Sequence, residues 1–330
     1  MVVKKNQRKT KPQVSVCCIT YNHKAYIRDA IEGFLMQKTS FPIEILIHDD
    51  ASTDGTAEIV KEYAEKHPDL IIPILQKENQ HSMGVKISST YLYPIARGKY
   101  IAKCEGDDFW TDPLKLQKQF DYMEKNSNFS THAHSVQKID ALSNSISGLK
   151  QPYKESCPAK TEDIIMNCGG IFGTNSLFFR TQYIKNLPQW LDEYPVGDYP
   201  MQIYLSLNGG IYFSNEVMSV YRINVKNSWN YKQHFNKNHE EIRIKNLNHF
   251  IKGSKKASKF IDNYSYFFNL AVLKFELEIC LLKGDINKIK SAHFSPLWNR
   301  LGLFKKYLTI FEYNYPNIYN FLKKLKNNRI

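Results

Sequence analysis

Three polar clusters follow directly on short apolar runs: Thr20-Tyr21-Asn22, Asp49-Asp50 and Glu105-Gly106-Asp107-Asp108. Crowded carboxylates repel one another unless a cation or hydrogen-bond donors offset the charge. Mg2+ and Mn2+ prefer carboxylate oxygen and fill their remaining positions with water or phosphate oxygens. Acids so placed can hold a divalent cation, and through it a diphosphate whose departure the cation assists. Each acidic cluster also has a plainer reading. Asp49-Asp50 would serve as a turn and cap for a helix starting at Thr56, and Asp107-Asp108 as a solvated turn ahead of Asp112-Pro113. The two readings differ in whether the clusters meet in space.

The elements that position them can be read from periodicity. Residues 14–19, 43–48, 70–75 and 100–104 are apolar runs of strand length. Between the first two, Ile27, Ala30, Ile31, Phe34 and Leu35 fall at helical spacing. Ser52-Thr53-Asp54-Gly55 turns into a helix carrying Ala57, Ile59, Val60 and Tyr63, and a third helix is predicted over about 84–96. This alternation predicts a Rossmann-like α/β fold, a mostly parallel sheet flanked by helices with right-handed crossovers. Ligands of such sheets bind beyond the carboxyl ends of the strands, where all three clusters stand.

After Asp108 the pattern changes. A helix is predicted from Asp112-Pro113 to about Glu124, strand-like and loop-like chain over 129–148, and a strand at 177–179 after the Gly-rich segment 169–176. That segment lacks a lysine in phosphate-loop position and is expected to border an acceptor site instead. A helix over 196–208 and strands near 211–213 and 217–221 complete the body. The expected division is a basic tail (1–13), a catalytic domain (14–230, halves meeting at 125/126) and a C-terminal α-helical appendage (231–330). His132 and His134 share one strand face, a spacing that allows metal binding but more often marks a structural pair.

The chain has 330 residues, 42% hydrophobic and 23% charged, enough apolar material for a large core and too much for wholesale disorder. Its net charge of +13 sits at the ends: residues 1–13 carry +5 and residues 300–330 carry +6. Leu297, Leu301, Phe304, Leu308 and Phe311 form a helical stripe, and Lys-flanked Ile318, Phe321, Leu322 and Leu325 follow Pro316. A basic amphipathic face suits an anionic membrane surface, and equally a contact with the protein's own body. No nucleic-acid module stands between the basic ends, so no nucleic-acid partner is expected. The basic N-terminus has no apolar core of a secretory signal, and 164–179 is too short and polar to span a bilayer. The six cysteines lack disulfide or zinc spacing, which fits a reducing, cytoplasmic setting, peripheral to the inner membrane face if the ends bind there.

In order, spacing and strand context, the segments Val14-Ser15-Val16 to Thr20-Tyr21-Asn22, Ile45 to Thr56, and Gly98-Lys99-Tyr100-Ile101-Ala102 to Asp108 resemble the family-2 glycosyltransferases with the GT-A fold, of bacterial cell-surface glycan type. The resemblance is close over 14–125, loose over 126–225 and faint beyond. It implies a metal-dependent, inverting transfer of a sugar (hexosyl or N-acetylhexosaminyl) from a nucleotide-sugar donor, most often a UDP-sugar, to the hydroxyl of a glycan or lipid-linked glycan acceptor, with Mn2+ or Mg2+ as cofactor. Thr20, Tyr21 and Asn22 would line the base pocket, Tyr21 stacking on uracil. Asp50 would accept from the base N–H, with Asp49 its neighbour. Lys86 would serve the diphosphate where relatives often carry an Arg. Asp107 would lie near ribose and metal, Asp108 would be the chief metal ligand, and Glu105 stands where the family usually has Asp. Trp110 would contact the donor or acceptor sugar, or pack as a core aromatic.

The resemblance also implies a single carboxylate base at a helix start in the second half. Asp198 matches it, with Asp192 and Glu193 as nearby alternatives and helix capping as the plainer role. Asn224, in Tyr221-Arg222-Ile223-Asn224, stands where relatives often have a metal-binding His. With Glu105, that departure keeps open a second class of function, a non-catalytic nucleotide-sugar or carbohydrate-binding module docked on a membrane glycan-assembly complex.

Overall fold

The structure, a computed structural model, describes residues 11–298 apart from 169, 227, 230, 232–237 and 290. The chain forms two compact units, one ending at Lys237 and the other beginning at Asn238.

The first unit is built on strands β1 (Val14–Thr20), β2 (Ile43–Asp49), β3 (Ile71–Leu75) and β4 (Tyr100–Glu105), all parallel and ordered β3-β2-β1-β4. Val14, Val16 and Cys18 are buried on one side of β1, and Ser15 and Cys17 on the other. Burial on both faces is what makes these strands read as unbroken apolar runs. Helices α1 (Ile27–Leu35) and α2 (Thr56–Lys66) cover the sheet with the apolar stripes expected of them, Ile27, Ala30, Ile31 and Phe34 from α1 and Ile59, Val60 and Tyr63 from α2. The strand order steps outward from β1 to β3 and then back across β1 to β4. Ligand crevices open at such switch points.

Beyond β4 the sheet becomes mixed and continues through β9 (Phe178–Arg180), β6 (Thr131–Asp140), β10 (Ile211–Ile223) and β5 (Phe109–Trp110). β9 runs antiparallel to both β4 and β6, while β10 is parallel to β6 and antiparallel to β5. β7 (Ser145–Lys150) forms a hairpin with β6, and β8 (Cys157–Pro158) adds to β10. Helices α3 (Lys115–Lys125), α4 (Thr161–Asn167) and α5 (Asp198–Leu207) complete the unit.

Three local readings change. The helix predicted over 84–96 is a π-helical turn at Ser88–Leu92 running into a tight turn at Tyr93–Ile95, because Pro94 has no N–H to continue a ladder. The two strands predicted near 211–213 and 217–221 are one strand. Its register on β6 slips between Ser214 and Ser219, and Asn215, Glu216 and Val217 bulge into solvent, which broke the apolar pattern. The helix predicted from Asp112-Pro113 begins at Lys115, and the Asp112 carboxylate instead accepts from the Leu114 N–H and the Lys118 amine.

The C-terminal unit contains α6 (His239–Phe260) and α7 (Ser265–Lys283), joined by stacked Phe250 and Phe275 rings 5.1 Å apart and by an Arg243–Glu278 ion pair at 2.6 Å. Of the amphipathic stripe only Leu297, buried in a short helix at Ser295–Trp298, is described; the rest, and residues 1–10, lie outside the described residues. Among the described residues, no helix is long and apolar enough to cross a membrane.

The entry to β4 is held by a buried acid and a glycine. Glu44 on β2 accepts from the Ser15 hydroxyl, the Arg97 N–H and the Arg97 guanidinium, fixing the turn before β4 against β1 and β2. Next to it, a Cβ on Gly98 would stand 2.5 Å from the Ser15 nitrogen and 2.8 Å from the Tyr100 carbonyl oxygen, both backbone atoms that cannot swing away. Gly98→Ala should therefore lower stability by about 1–3 kcal/mol, visible as a reduced melting temperature. Gly197→Ala, where nothing lies within 4 Å and the backbone is ordinary, should change stability by less than about 0.5 kcal/mol.

Candidate active site

The register of β1 on β4 sets Ile19 opposite Glu105, so the chain leaves both strands side by side. The Gly106 N–H donates to the Ile19 carbonyl at 2.8 Å. A Cβ on Gly106 would lie 2.6 Å from the Thr20 hydroxyl oxygen and 3.1 Å from His23 Nδ1, so glycine is what lets the loops close. Thr20 Oγ1 and His23 Nδ1 are themselves buried without a hydrogen-bond partner.

Beyond this contact, Glu105, Asp107 and Asp108 each present a carboxylate oxygen within 4.8 Å of the others. Asp108 is fully buried. Its Oδ1 accepts the Arg222 N–H at 2.9 Å, and its Oδ2 has no partner. The Arg222 side chain closes the same corner. It donates to the Asp107 carbonyl at 2.8 Å, pairs with Asp29 on α1, and lies over the rings of Phe109 and Tyr26. His23 Nε2 stands 3.7 Å from Asp107. Burial, then the neighbouring carboxylates, push Glu105 up to about 7; the same causes raise Asp108 well above the usual carboxylate range, against the opposing pull of the Arg222 N–H. An orphaned buried oxygen among three crowded acids is the environment that a hard divalent cation would satisfy. Glu105, Asp107 and Asp108 are the residues that could hold one.

Asp198 opens α5, with its Oδ1 accepting the Tyr199 N–H at 2.9 Å. It is close enough to Glu105 to raise that carboxyl further. Gly170, at φ +86, passes against it, and a Cβ there would sit 3.3 Å from Asp198 Oδ2. The acid at the start of α5 and the acids at the end of β4, about ninety positions apart in the chain, thus face one space.

Other residues singled out in the sequence have these surroundings. Asp49 closes its own turn by accepting the Ser52 N–H and hydroxyl; burial raises its carboxyl and those bonds oppose the rise. Asp50 uses one oxygen for the Gln80 N–H and the other for the His81 N–H, anchoring the loop that follows β3. Asn22, at φ 55, accepts the Thr53 N–H. Tyr21 keeps 41% of its surface exposed at the crevice rim. The Lys86 amine is engaged by the Tyr194 carbonyl at 2.9 Å, and burial lowers its pKa.

Trp110 takes the packed place among its two readings: it is 1% exposed, packs edge-on against Phe34, donates its indole N–H to the Asn175 carbonyl and carries the Lys115 ammonium over its ring. His132 and His134 are buried, neutral core residues whose pKa values are pushed down by desolvation. Asn224 donates to Asp140 Oδ2 at 2.7 Å and is not part of the acid cluster.

Sequence reading passed over Arg222, Lys103, Lys150 and Tyr221. Lys103 carried a signal, a lysine inside the apolar run 100–104. Burial works against its charge, but Tyr93, Glu105 and Asp198 outweigh that and raise its pKa. Tyr221 is likewise raised by burial and then by Asp108 and Glu105. Lys150 had no signal: it ends a polar, exposed strand.

The family model for glycosyl transferase family 2 matches residues 15–181. An uncharacterized protein of Mycobacterium tuberculosis is 36% identical over 222 residues, 66% of this chain and 60% of that protein. WfaP of Escherichia coli, named UDP-Glc:alpha-D-GlcNAc-diphosphoundecaprenol beta-1,3-glucosyltransferase, is 31% identical over 121 residues, 37% of this chain and 45% of that protein. The chain thus spans at most about 60% of these curated relatives' length. Among solved structures, the mannosyltransferase PcManGT of Pyrobaculum calidifontis in complex with GDP-Man and Mn2+ superimposes with a TM-score of 0.53 at 15% identity, covering 93% of this chain and 86% of that one. A likeness at that identity speaks for the fold.

The raised carboxyls have a consequence for stability. A carboxyl whose folded pKa lies above its unfolded value of about 4 favours folding while protonated and loses that contribution as pH rises through the folded value. In EDTA, the melting temperature should fall as pH is raised from about 5 to 8, bracketing the Glu105 value of about 7. Asp108→Asn, which removes one of the raised carboxyls and with it a proton to be lost, should flatten that fall in a fluorimetric melting series.

Proposed function

The chain belongs to glycosyl transferase family 2 and has the GT-A fold, and on that premise we propose that it moves a sugar from a nucleotide sugar, UDP being the favoured nucleotide, to the hydroxyl of a glycan or lipid-linked glycan acceptor, with inversion, in the building of a cell-surface polysaccharide. The observation that carries this reading is the meeting of Asp198 with Glu105, Asp107 and Asp108 around one space. One group of acids suits the leaving diphosphate and the other suits the attacking hydroxyl. WfaP supports it, with a UDP-sugar donor and a lipid-diphosphate-linked acceptor in its name.

Glu105, Asp107 and Asp108 would hold Mn2+ or Mg2+, which supplies Lewis-acid stabilisation of the departing diphosphate. Mn2+ in the PcManGT complex supports that choice. Tyr21, exposed beside Thr20, offers a ring face to the base. Asp50 spends one lone pair of each oxygen on the loop after β3, and a carboxylate has further lone pairs for a base N–H. Asp198 would take the proton from the acceptor hydroxyl as it attacks the anomeric carbon. Its helix-start position, with only the adjacent N–H on Oδ1, leaves Oδ2 to do so. The basic ends would keep the protein at an anionic membrane face where lipid-linked glycans are presented.

Asp198→Ala should cut transfer by about a hundred- to ten-thousand-fold while leaving the dissociation constant for UDP within twofold of wild type. The measurement is nucleoside-diphosphate release from a panel of UDP-, GDP- and dTDP-sugars with Mn2+, Mg2+ or EDTA, alongside calorimetric donor binding. Persistence of transfer in the variant would remove Asp198 from the role of base. Donor binding with no release or transfer under any condition would favour the binding module instead.

A further inference from the structure

The β6–β7 hairpin has two unlike faces. Register pairs Lys138 with Gly148 on β7 and with Tyr221 on β10, and pairs Lys150 with Val136. By strand alternation Val136, Lys138, Gly148, Lys150 and Tyr221 therefore share a face. On it the Lys150 ammonium lies 5.8 Å from the centre of the Tyr221 ring. The charges that act on Lys150 are, in order, Asp198, Asp108, the like charge of Lys138, and Glu105. That face therefore looks into the space between the acids, with Asp198 foremost. Lys150 is partly buried and densely surrounded, and burial lowers its pKa. Neither Lys138 nor Lys150 makes an ion pair within 4 Å or donates a hydrogen bond among the described residues.

Asp198, Asp108 and Glu105 offset part of the Lys150 charge from a distance, but among the described residues neither ammonium has a carboxylate within 4 Å, so both keep N–H donors for an anion that enters beside them. The clusters proposed to face the nucleotide come from β1, β2 and β4, whereas these lysines come from the opposite half, and Asp198, the acid proposed for the attacking hydroxyl, is the foremost charge acting on Lys150. We propose that Lys150, with Lys138 beside it, forms an anion subsite for the acceptor, receiving a carboxylate or phosphate oxygen carried on the acceptor glycan. This rests on the reading of Asp198 as the base. It makes the acceptor an acidic sugar or a phosphate-bearing one, and it makes Lys150 a residue that discriminates between acceptors by charge.

The test uses the full chain with Mg2+ and saturating UDP, titrated calorimetrically with methyl glucuronoside, glycerol 3-phosphate and the neutral methyl glucoside. At least one charged probe should bind about tenfold or more tightly than the neutral one, and which of the two does so separates a carboxylate from a phosphate source. Lys150→Met should erase the preference with the UDP constant unchanged, and Lys150→Arg should keep most of it. Lys138→Met, on the neighbouring strand, should reduce it in part and covers the case in which Lys150→Met does not fold. Equal binding of all three probes would overturn the proposal. So would a Lys150→Met variant whose chief loss is in UDP binding, which would assign the lysine to the donor. Asp198→Asn should retain the charge preference while losing turnover, so failure of the base assignment is read separately from failure of the subsite.

Discussion

Asp108 holds a carboxylate where solvent does not reach, one oxygen on the Arg222 N–H and the other on nothing. Much of the first unit serves to keep it there. β4 delivers it, Gly106 lets its loop lie against Thr20, and β5 and β10 pair antiparallel so that Arg222 arrives at the right height. The Arg222 side chain then ties the same loop to α1 through Asp29. A buried charge is costly unless it is paired. The polar skeleton around Asp108 supplies half of that pairing and leaves half open, the half that the proposed cation would complete.

The two halves of the proposed site are held by different means. The half proposed for the donor is contiguous: its loops follow successive strands, and their turns are closed by short-range bonds such as Asp49 to Ser52 and Asp54 to Thr56. The half proposed for the acceptor is assembled from distant pieces, with Asp198 on α5, Gly170 on the preceding loop, Lys150 on a hairpin and Tyr221 on β10. Its geometry depends on long pairings, above all that of β6 with β10.

That difference explains what could be read from the residues. The first four strands and two helices were legible because the strands are apolar runs with buried faces and three of the four, β1, β2 and β4, end in a polar cluster. The acids of β4 and Asp198 were legible as candidates because the chemistry restricts the residue type. The partners that engage Lys86 and Trp110, the Tyr194 and Asn175 carbonyls, could not be read from the sequence because tertiary packing sets them. Pro94 carried a local signal that the helical periodicity around it masked. Arg222 and Lys150 were invisible because a cation at a strand end says nothing until the register reveals what it faces.

β7 is bonded to β6 alone and is exposed along most of its length. It stands off the main run of the sheet, so its residues can be exchanged or its turn lengthened without disturbing a neighbour on the other side. A hairpin of that kind is a place where a change of side chain costs the rest of the fold little, so the surface it presents can be altered without unseating the buried strands.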